Sequence, residues 1–282
     1  MIINCLDSIE KQTRDIDYEI VVVDNASVDG SQETIKARFP EVRLIESEEN
    51  LGFGRANNLG AKFANGKYLF LLNSDTELKN NAISFFFEYM ESCQNEKIGA
   101  IGAYLLNKDE KIIHSYGAFP RLTSDLIYQV KYQIINIIGR EKYFNSKTQK
   151  KELLAEEDTE VDYITGADLF LKTEIFNQFG GFDERYFMYY EETDLQLQMN
   201  RTGYKMLVIN APKIYHLEKG SFRKSINQQL LLDKSRLLFY KKNFNKTTWF
   251  IYKIFFYLIL SLMFFDRHYS REEKKYYFNN LQ

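Results

Sequence analysis

Three residue types that often organise a fold are scarce in this sequence. Among its 282 residues there are two cysteines, three prolines and one tryptophan. Cys5 and Cys93 are too few for a disulfide framework and have no metal-site spacing, which favours a reducing compartment. The opening segment MIINCLDSIEKQ lacks the features of a signal peptide or a transit peptide. The two cysteines exclude the class of small proteins held together by a disulfide framework.

An excess of charge of one sign is also missing. The chain has 37 Lys and Arg against 39 Asp and Glu, for a formal net charge of −2. Proteins that bind nucleic acid through a broad surface need an excess of positive charge, so no nucleic-acid partner is expected. Hydrophobic residues make up 45% of the chain, which is enough for a globular core and excludes global disorder.

Short apolar strands alternate with helices in the first part of the chain. The segments 18–23, 42–45 and 68–72 are apolar runs typical of buried strands. Apolar residues recur at helical spacing over 2–12 and 55–65. This alternation predicts an α/β fold with a mostly parallel sheet, in which ligands bind beyond the carboxyl ends of the strands.

Polar side chains follow two of these predicted strands. Asp24 and Asn25 end the first, and Asn73 and Asp75 follow the third. A strand-end carboxylate can accept hydrogen bonds from a base or ribose, or hold a hard cation whose other ligands come from the substrate. The same residue types also favour turns and helix caps for local reasons, so these residues alone leave both interpretations open.

Three acids begin a predicted helix over 191–202. Glu191 and Asp194 share one helix face, whereas Glu192 points about 100° away. Acids are ordinary at a helix N-terminus because of the helix dipole. Crowding and partial burial would also raise a carboxyl pKa towards that of a general base. The pattern therefore has two interpretations. The acids either only stabilise the helix N-terminus, or Glu191 and Asp194 are structural while Glu192 takes part in a reaction.

His216 follows another predicted strand, in the segment KIYHLEKGS. A lone histidine is more often structural than a ligand. The metal interpretation gains from Asp75, because a single carboxylate leaves a ligand position that an imidazole can fill.

Taken together, these segments resemble the inverting family 2 glycosyltransferases with the GT-A fold, closest to the rhamnosyltransferase-like and galactofuranosyltransferase-like branch. The matching segments occur in the same order and at similar spacing as in that family: VVVDNASVDGS, ENLGFGRANNLG, YLFLLNSD, TGADLFLKTEIFNQFGGFDERYFMYYEETDLQLQMNRTGYK and YHLEKGS. The resemblance covers roughly residues 1–225. Each piece is weak alone, and the joint pattern is specific.

The resemblance implies a site for a nucleotide-diphosphate sugar. Asp24 would contact the nucleotide base, with Asn25 beside it. The other residues implied to bind the nucleotide sugar are Asn50, Gly52, Phe53, Arg55, Asn58, Asn73 and Asp75. The donor is expected to be dTDP- or UDP-linked, with dTDP-rhamnose as the first choice.

The resemblance also implies a metal ion and a catalytic base. Asp75, last of a DxD-like triplet in which Asn73 replaces the first Asp, would hold Mg²⁺ or Mn²⁺ with His216 as a further ligand. Glu192 matches the catalytic base, where many relatives carry Asp. The other two acids of the predicted catalytic set are Glu191 and Asp194. A single base and in-line displacement give inversion.

One departure from the family concerns its first strand, which lies mid-sheet and helps bind the base. This chain opens on the helix that should follow that strand. We therefore expect a gap in the sheet between 18–23 and 68–72. The expectation is that Met1 is an internal methionine and that the native protein starts upstream.

The chain is predicted to divide into a GT-A catalytic domain over 1–225, with 120–160 as a variable insert or lid, and a helical segment over 226–282. Residues 249–265 form an apolar run with basic flanks. Such a helix is slightly short for a bilayer and suits the membrane interface, and a helix packed on the catalytic domain is the alternative. The predicted location is cytoplasmic, with peripheral binding to the inner face of the plasma membrane.

The predicted function is transfer of a sugar, rhamnose first, to a glycan or polyprenyl-diphosphate-linked glycan in bacterial cell-surface polysaccharide synthesis. The alternative is a catalytically inactive nucleotide-sugar-binding or scaffold protein, because the first strand is missing.

Overall fold

The computed structural model of the protein describes residues 1–138, 157–217, 225–266 and 269–281. Contacts between residues divide the chain into two units. The first unit comprises 1–119, 153–187 and 191–220, and the second comprises 120–152, 188–190 and 221–282. The predicted lid is thus split: part of it is a helix of the second unit, and residues 139–156 lie outside the described residues. The functional boundary near residue 225 stays a prediction.

Helices form at most of the segments where apolar residues recur every three or four positions. The helices of the described residues are α1 (Ile2–Gln12), α2 (Ser31–Arg38), α3 (Gly52–Phe63), α4 (Ala82–Ser92), α5 (Leu122–Ile138), α6 (Thr173–Gln178), α7 (Glu191–Arg201), α8 (Ile226–Asn243), α9 (Lys246–Ser261) and α10 (Arg271–Asn280). A 3₁₀ turn, Leu262–Phe265, continues α9. In α1, for example, Cys5 and Ile9 lie one turn apart and both are buried.

Strands form at the apolar runs predicted over 18–23, 42–45 and 68–72 and at further positions along the chain. The strands are β1 (Val21–Asp24), β2 (Arg43–Glu46), β3 (Tyr68–Leu72), β4 (Thr76–Leu78), β5 (Ile98–Leu106), β6 (Tyr116–Gly117), β7 (Thr159–Val161), β8 (Tyr163–Ile164), β9 (Asp168–Lys172) and β10 (Lys205–His216). The largest sheet has the order β3-β9-β5-β10-β4, with β7 also paired to β10.

The sheets are mixed rather than mostly parallel, which corrects the expectation from the sequence. β1 pairs with β2 and β5 with β10 in parallel, but β9 runs antiparallel to both β3 and β5. The strand–helix alternation that requires parallel pairing holds only for the first three strands. β4, β7 and β9 enter by other connections and can therefore run the opposite way.

β1 and β3 belong to different sheets, in agreement with the gap expected between the segments 18–23 and 68–72. Within the described ranges β1 pairs only with β2, and β3 only with β9. α3 covers β1 closely, since a Cβ added to Gly60 would lie 3.2 Å from Val23 Cγ2. Each of the two strands therefore has one edge without a strand partner in the residues described.

The core of the first unit has two layers, one on each face of the largest sheet. β9 shows the alternation: Phe170 packs into one cluster with Phe86, while Leu169 and Leu171 pack into the other with Phe182. These side chains are almost completely buried, and each contributes about 1.5–3 kcal/mol by leaving water. The sheet thus forms a rigid platform for the loops at its ends.

The second unit contains α5, α8, α9 and α10 around a buried ionic cluster. Arg236 Nη1 lies 2.7 Å from Asp233 Oδ1, and its Nε lies 3.9 Å from Asp125 Oδ2. Tyr277 donates a hydrogen bond of 2.7 Å to Asp233 Oδ2. Burial raises the pKa of Asp125, and Arg236 opposes that shift. Because a buried charge without its partner is strongly destabilising, this cluster ties α5 and α10 to α8.

Residues Lys246–Phe265 are long and apolar enough to cross a membrane by length and composition alone. No other such helix occurs among the described residues. This stretch comprises α9 and the 3₁₀ turn, so the predicted helix over 249–265 is confirmed as helical.

Candidate active site

Asp24, the predicted base-binding residue, is buried at the end of β1. Its Oδ2 accepts hydrogen bonds from Gln32 Nε2 at 2.6 Å and from the Ser27 backbone N–H at 3.1 Å. Gln32 on α2 was not singled out in the sequence, because nothing local marks its contact with a strand end. The two bonds fix the carboxylate, and its contact with a nucleotide base stays a prediction.

Asn25 joins two segments predicted to form the nucleotide-sugar pocket. Its Oδ1 accepts from the Leu51 backbone N–H at 2.7 Å. Its Nδ2 donates to Asn50 Oδ1 and to the Gly52 carbonyl, each at 3.1 Å. The structure therefore brings Asn25, Asn50 and Gly52 together, and their contacts fix the start of α3.

Gly52 is required by the close approach of the segment that precedes the acids. Its φ is +78°, and an added Cβ would lie 2.1 Å from the Phe187 carbonyl oxygen. That same oxygen accepts from the Phe53 backbone N–H at 2.9 Å. A side chain at position 52 would push the start of α3 away from Phe187.

Asn58 and Arg55 on α3 bind the backbone of the segment 181–187. Asn58 is buried; its Nδ2 donates to the Phe182 carbonyl at 2.8 Å, and its Oδ1 accepts from the Phe182 N–H at 2.9 Å. Arg55 Nε donates to the Glu184 carbonyl at 3.1 Å. These contacts give both residues a role in holding the loop, and direct contact with the sugar nucleotide stays a prediction.

Asp75 and His216 meet where β4 and β10 run side by side. Thr76, the first residue of β4, pairs with His216, the last residue of β10. This register places His216 Nε2 at 3.2 Å from Asp75 Oδ1. The hydrogen bond from His216 lowers the pKa of Asp75. In the turn before them, the Asn73 carbonyl accepts from the Thr76 hydroxyl at 2.7 Å.

The Asp75–His216 pair fits a divalent cation on its donor chemistry. A hard carboxylate oxygen and an imidazole nitrogen are common ligands of Mn²⁺, and Mg²⁺ accepts the carboxylate with phosphate oxygens. No group of three or more His, Cys, Asp or Glu suited to a metal occurs in the described ranges. The remaining ligands would therefore come from the diphosphate and water.

The three acids of α7 lie in different environments. Glu191 and Asp194 are buried; a Cβ on Gly54 would lie 3.6 Å from Glu191 Cβ, and the Tyr186 hydroxyl donates to Asp194 Oδ1 at 3.3 Å. Glu192 is only half-buried. Burial raises the pKa of Glu192 to about 6, opposed by backbone N–H groups at the helix start. A carboxyl group with that pKa suits a general base near neutral pH.

Glu192 lies near Phe53, at the start of α3, and near Gly166, in the loop between β8 and β9. A Cβ added to Gly166 would lie 2.9 Å from Phe53 Cζ and 3.9 Å from Glu192 Cβ. The start of α3 and the start of α7 therefore converge on Gly166. Of the predicted site residues, Phe53 and Glu192 are brought together here.

Gln196 is a buried residue of this site that was not predicted from the sequence. Its Nε2 donates to the Ile164 carbonyl at 2.8 Å and to the Glu192 carbonyl at 3.1 Å. Its Oε1 accepts from the Ile164 N–H at 2.9 Å. The sequence feature that could have indicated Gln196 is its position one helical turn after Glu192, on a helix face whose other residues are buried.

The backbone just before α7 is unusual. Tyr189 and Tyr190 both have φ of 73°, in the left-handed region. For side chains other than glycine this conformation costs about 1–2 kcal/mol per residue. Such conformations often occur next to functional groups, here immediately before Glu191.

A comparison with protein families matches residues 1–173, more than half of the chain, to the model described as glycosyl transferase family 2. The chain belongs to glycosyl transferase family 2. The predicted family and α/β fold class are thereby confirmed, with sheets that are mixed rather than mostly parallel.

Curated relatives of this family 2 chain include rhamnosyltransferases. The N-acetylglucosaminyl-diphospho-decaprenol L-rhamnosyltransferase of Mycobacterium tuberculosis is 26% identical over 210 residues, which are 70% of this chain and 66% of the relative. Rhamnosyltransferase WbbL of Escherichia coli is 30% identical over 175 residues, 58% of this chain and 60% of the relative. The chain thus spans just under two thirds of the length of these relatives.

Two solved structures share the fold of this family 2 chain. A crystal structure of GalNAc-T7 with UDP, GalNAc and Mn²⁺ matches with a TM-score of 0.59 at 16% identity, covering 98% of this chain and 51% of that one. Staphylococcus aureus TarS matches with a TM-score of 0.53 at 14% identity, covering 96% and 42%. At these identities the likeness shows the fold alone.

Proposed function

We propose that this family 2 glycosyltransferase moves a sugar, rhamnose as the first choice, from a dTDP- or UDP-linked donor to a glycan acceptor. The acceptor is a glycan or a polyprenyl-diphosphate-linked glycan, and the product is bacterial cell-surface polysaccharide. The observation that carries the proposal is Glu192, a half-buried carboxyl group whose pKa is raised to about 6 beside Phe53 and Gly166. The rhamnosyltransferase names of two relatives support the choice of sugar.

Glu192 would act as the general base. An acceptor hydroxyl is a poor nucleophile near neutral pH, so a carboxylate that takes its proton as it attacks the anomeric carbon accelerates the step. The new bond forms opposite the departing nucleotide diphosphate, and one such displacement inverts the anomeric configuration. The buried pair Glu191 and Asp194 would position the helix that carries the base.

Asp75 and His216 would hold Mg²⁺ or Mn²⁺, which when bound stabilises the charge that develops on the leaving diphosphate. Asp75 is suited to this because the hydrogen bond from His216 lowers its pKa and so favours the carboxylate, the form that binds a cation. Asp24 and Asn25 would orient the nucleotide, and the start of α3 would face the sugar.

The proposed location is the cytoplasm, at the inner face of the plasma membrane. Both cysteines are free thiols, which suits a reducing compartment. A membrane position would bring the site to a polyprenyl-linked acceptor.

A second candidate is a catalytically inactive nucleotide-sugar-binding or scaffold protein. The observation in its favour is that β1, which carries Asp24, and β3, which leads to Asp75, lie in separate sheets in the ranges described. A donor could still bind when the two strands lie in separate sheets, whereas catalysis needs a more exact alignment of the donor, the acceptor and the base.

A thermal-shift panel of dTDP-rhamnose and UDP-sugars, with and without Mn²⁺, tests both candidates, followed by assays of nucleotide-diphosphate release. The proposal expects a Mn²⁺-dependent shift with one donor class and turnover that Glu192→Gln abolishes while donor binding is kept. Binding without turnover in the unaltered chain would favour the inactive protein. Absence of donor binding would contradict both.

A further inference from the structure

α9 exposes an apolar arc on the side opposite its packed face. Phe250, Ile254 and Leu258 recur every four residues, so they form one line along the helix, and Ile251 and Phe255 widen it. Phe250 is 63% exposed and Leu258 60%. The 3₁₀ turn continues the arc with Phe265, which is 69% exposed. An exposed arc of this kind marks a surface that contacts something apolar.

The opposite side of α9 is fixed within its own unit. Tyr252 is fully buried, stacks on Tyr240 with ring centroids 3.6 Å apart, and accepts a hydrogen bond of 3.0 Å from Gln129. Phe256 is also buried. A helix that spans a bilayer would lose these contacts, whereas a helix that lies in the membrane interface keeps them.

Charge on this part of the chain is strongly asymmetric. Over 225–266 and 269–281 there are nine Lys and Arg against four Asp and Glu, although the whole chain carries −2. Lys246 and Lys253 are exposed on α9 itself, and the exposed Arg271 lines a pocket together with Phe264 and Phe265. Positive charge beside an apolar helix face complements an anionic lipid surface.

The same charges argue against a second copy of this chain as the occupant of the arc. In a symmetric dimer across α9, two sets of lysines would face each other. Interface cores are depleted in lysine, and like charges placed together are unfavourable. An anionic bilayer satisfies the apolar arc and its basic rim at once.

An open pocket of about 790 Å³ lies at the end of this arc. Its walls include the aromatic rings of Phe264 and Phe265, the cationic side chain of Arg271 and the acid Asp266, and Lys274 donates to the carbonyls of Phe264 and Asp266. Aromatic rings beside cations suit the boundary between acyl chains and phosphate headgroups.

We propose that the exposed arc of α9, continued by Phe264 and Phe265 and rimmed by Lys246, Lys253 and Arg271, docks in the interface of an anionic phospholipid bilayer. The helix lies in the membrane plane and does not cross it. The inference rests on the proposed function only for its purpose, which is to bring the site to a lipid-linked acceptor; the docking itself needs no transfer activity.

The full chain is mixed with vesicles of phosphatidylcholine alone or with one third phosphatidylglycerol. We expect flotation with the anionic vesicles only, and release of the bound chain by high salt and by alkaline carbonate.

The double variant Phe250→Ser/Leu258→Ser removes two exposed side chains and should reduce vesicle binding about tenfold or more. Val28→Ser, which changes a fully exposed residue of the first unit, is the matched control and should bind normally. Equal binding by the double variant would overturn the proposal. Resistance to carbonate would indicate a spanning helix, and dimers without vesicle binding would indicate a second copy; each would also overturn it.

These outcomes are separable from failure of the proposed function. Vesicle binding requires no nucleotide sugar, so a chain that floats but never turns over a donor keeps this inference and loses the other. A chain that transfers sugar to a soluble acceptor without binding vesicles does the reverse.

Discussion

The side chain of Gln196 hydrogen-bonds both the N–H and the carbonyl of Ile164, as a neighbouring strand would. Its third hydrogen bond goes to the carbonyl of Glu192, one turn earlier on α7. Gln196 thus fixes the proposed base relative to β8 and acts as a positioning residue.

Gln196→Glu tests this relationship. The substitution keeps the acceptor for the Ile164 N–H, loses both donated bonds, and places a negative charge one turn from Glu192. We expect kcat to fall about tenfold or more with donor affinity unchanged, and the pKa seen in the acid limb of kcat to rise. A lower Tm with an unmoved acid limb would indicate a merely structural role. Asn200→Ala, at an exposed position of the same helix, is the control.

The raised pKa of Glu192 predicts the pH dependence of transfer. Because the base must be ionised, kcat/KM should increase with pH through a midpoint of about 6 and then level off. The measurement is a pH profile at saturating Mn²⁺ with donor binding followed separately. An acid limb near pH 4.5, the ordinary value for Glu, would contradict the assignment of Glu192 as base.

The raised pKa of Glu192 also predicts how the free energy of unfolding depends on pH. A folded pKa above the unfolded value favours the folded state at low pH, and this contribution is lost as the pH rises through about 6. Glu192→Gln should therefore raise the free energy of unfolding at pH 8 by about 1–2 kcal/mol, with no gain at pH 4. Urea unfolding at both pH values measures it, with Glu48→Gln, at an exposed acid, as the control.

The contact between Asp75 and His216 predicts metal-dependent nucleotide binding. Asp75→Asn and His216→Gln should each weaken Mn²⁺-dependent binding of dTDP or UDP about 10–100-fold, while metal-free binding changes little. Titration calorimetry with and without Mn²⁺ makes the comparison. His114→Gln, at an exposed histidine, should behave like the unaltered chain. Equal loss in the presence and absence of Mn²⁺ would count against a ligand role.

Two glycines with similar backbone angles separate conformation from crowding. Gly52 and Gly180 have φ of +78° and +77°, but only a Cβ at position 52 meets another atom, the Phe187 carbonyl oxygen. Gly180→Ala should cost about 1–2 kcal/mol, the ordinary penalty of a left-handed residue. Gly52→Ala should cost clearly more and weaken donor binding, as measured by denaturation and calorimetry. Equal effects would argue against a close junction of α3 with Phe187.

Much of the architecture was predictable because local pattern governs it. The apolar runs at β1 and β3 and the periodicity of α3 identify these elements without tertiary information. The side chains of β9 alternate between two faces as in any strand, but its antiparallel course is decided by pairing with β3 and β5, which is not encoded locally. The sheets are therefore mixed where alternation predicted parallel strands.

The candidate site likewise contains some residues that the sequence indicated and others that it did not. Resemblance to the family indicated Asp75 and His216 together, and β4–β10 pairing brings them into contact across the chain. Gln32 and Gln196 were not singled out, because a buried glutamine becomes visible only when its distant partner is placed. The use of Asn58 as a support for Phe182 likewise depends on residues more than 120 positions apart.

The edges of β1 and β3 that lack a strand partner in the described residues have a consequence for handling the protein. Such edges present rows of N–H and carbonyl groups that can template pairing with another molecule. VVVD and YLFLL are β-prone and free of proline, and YLFLL also has no charge, so both resemble segments that nucleate aggregation. Association through these edges should grow with concentration and resist high salt, unlike contacts made by charged side chains.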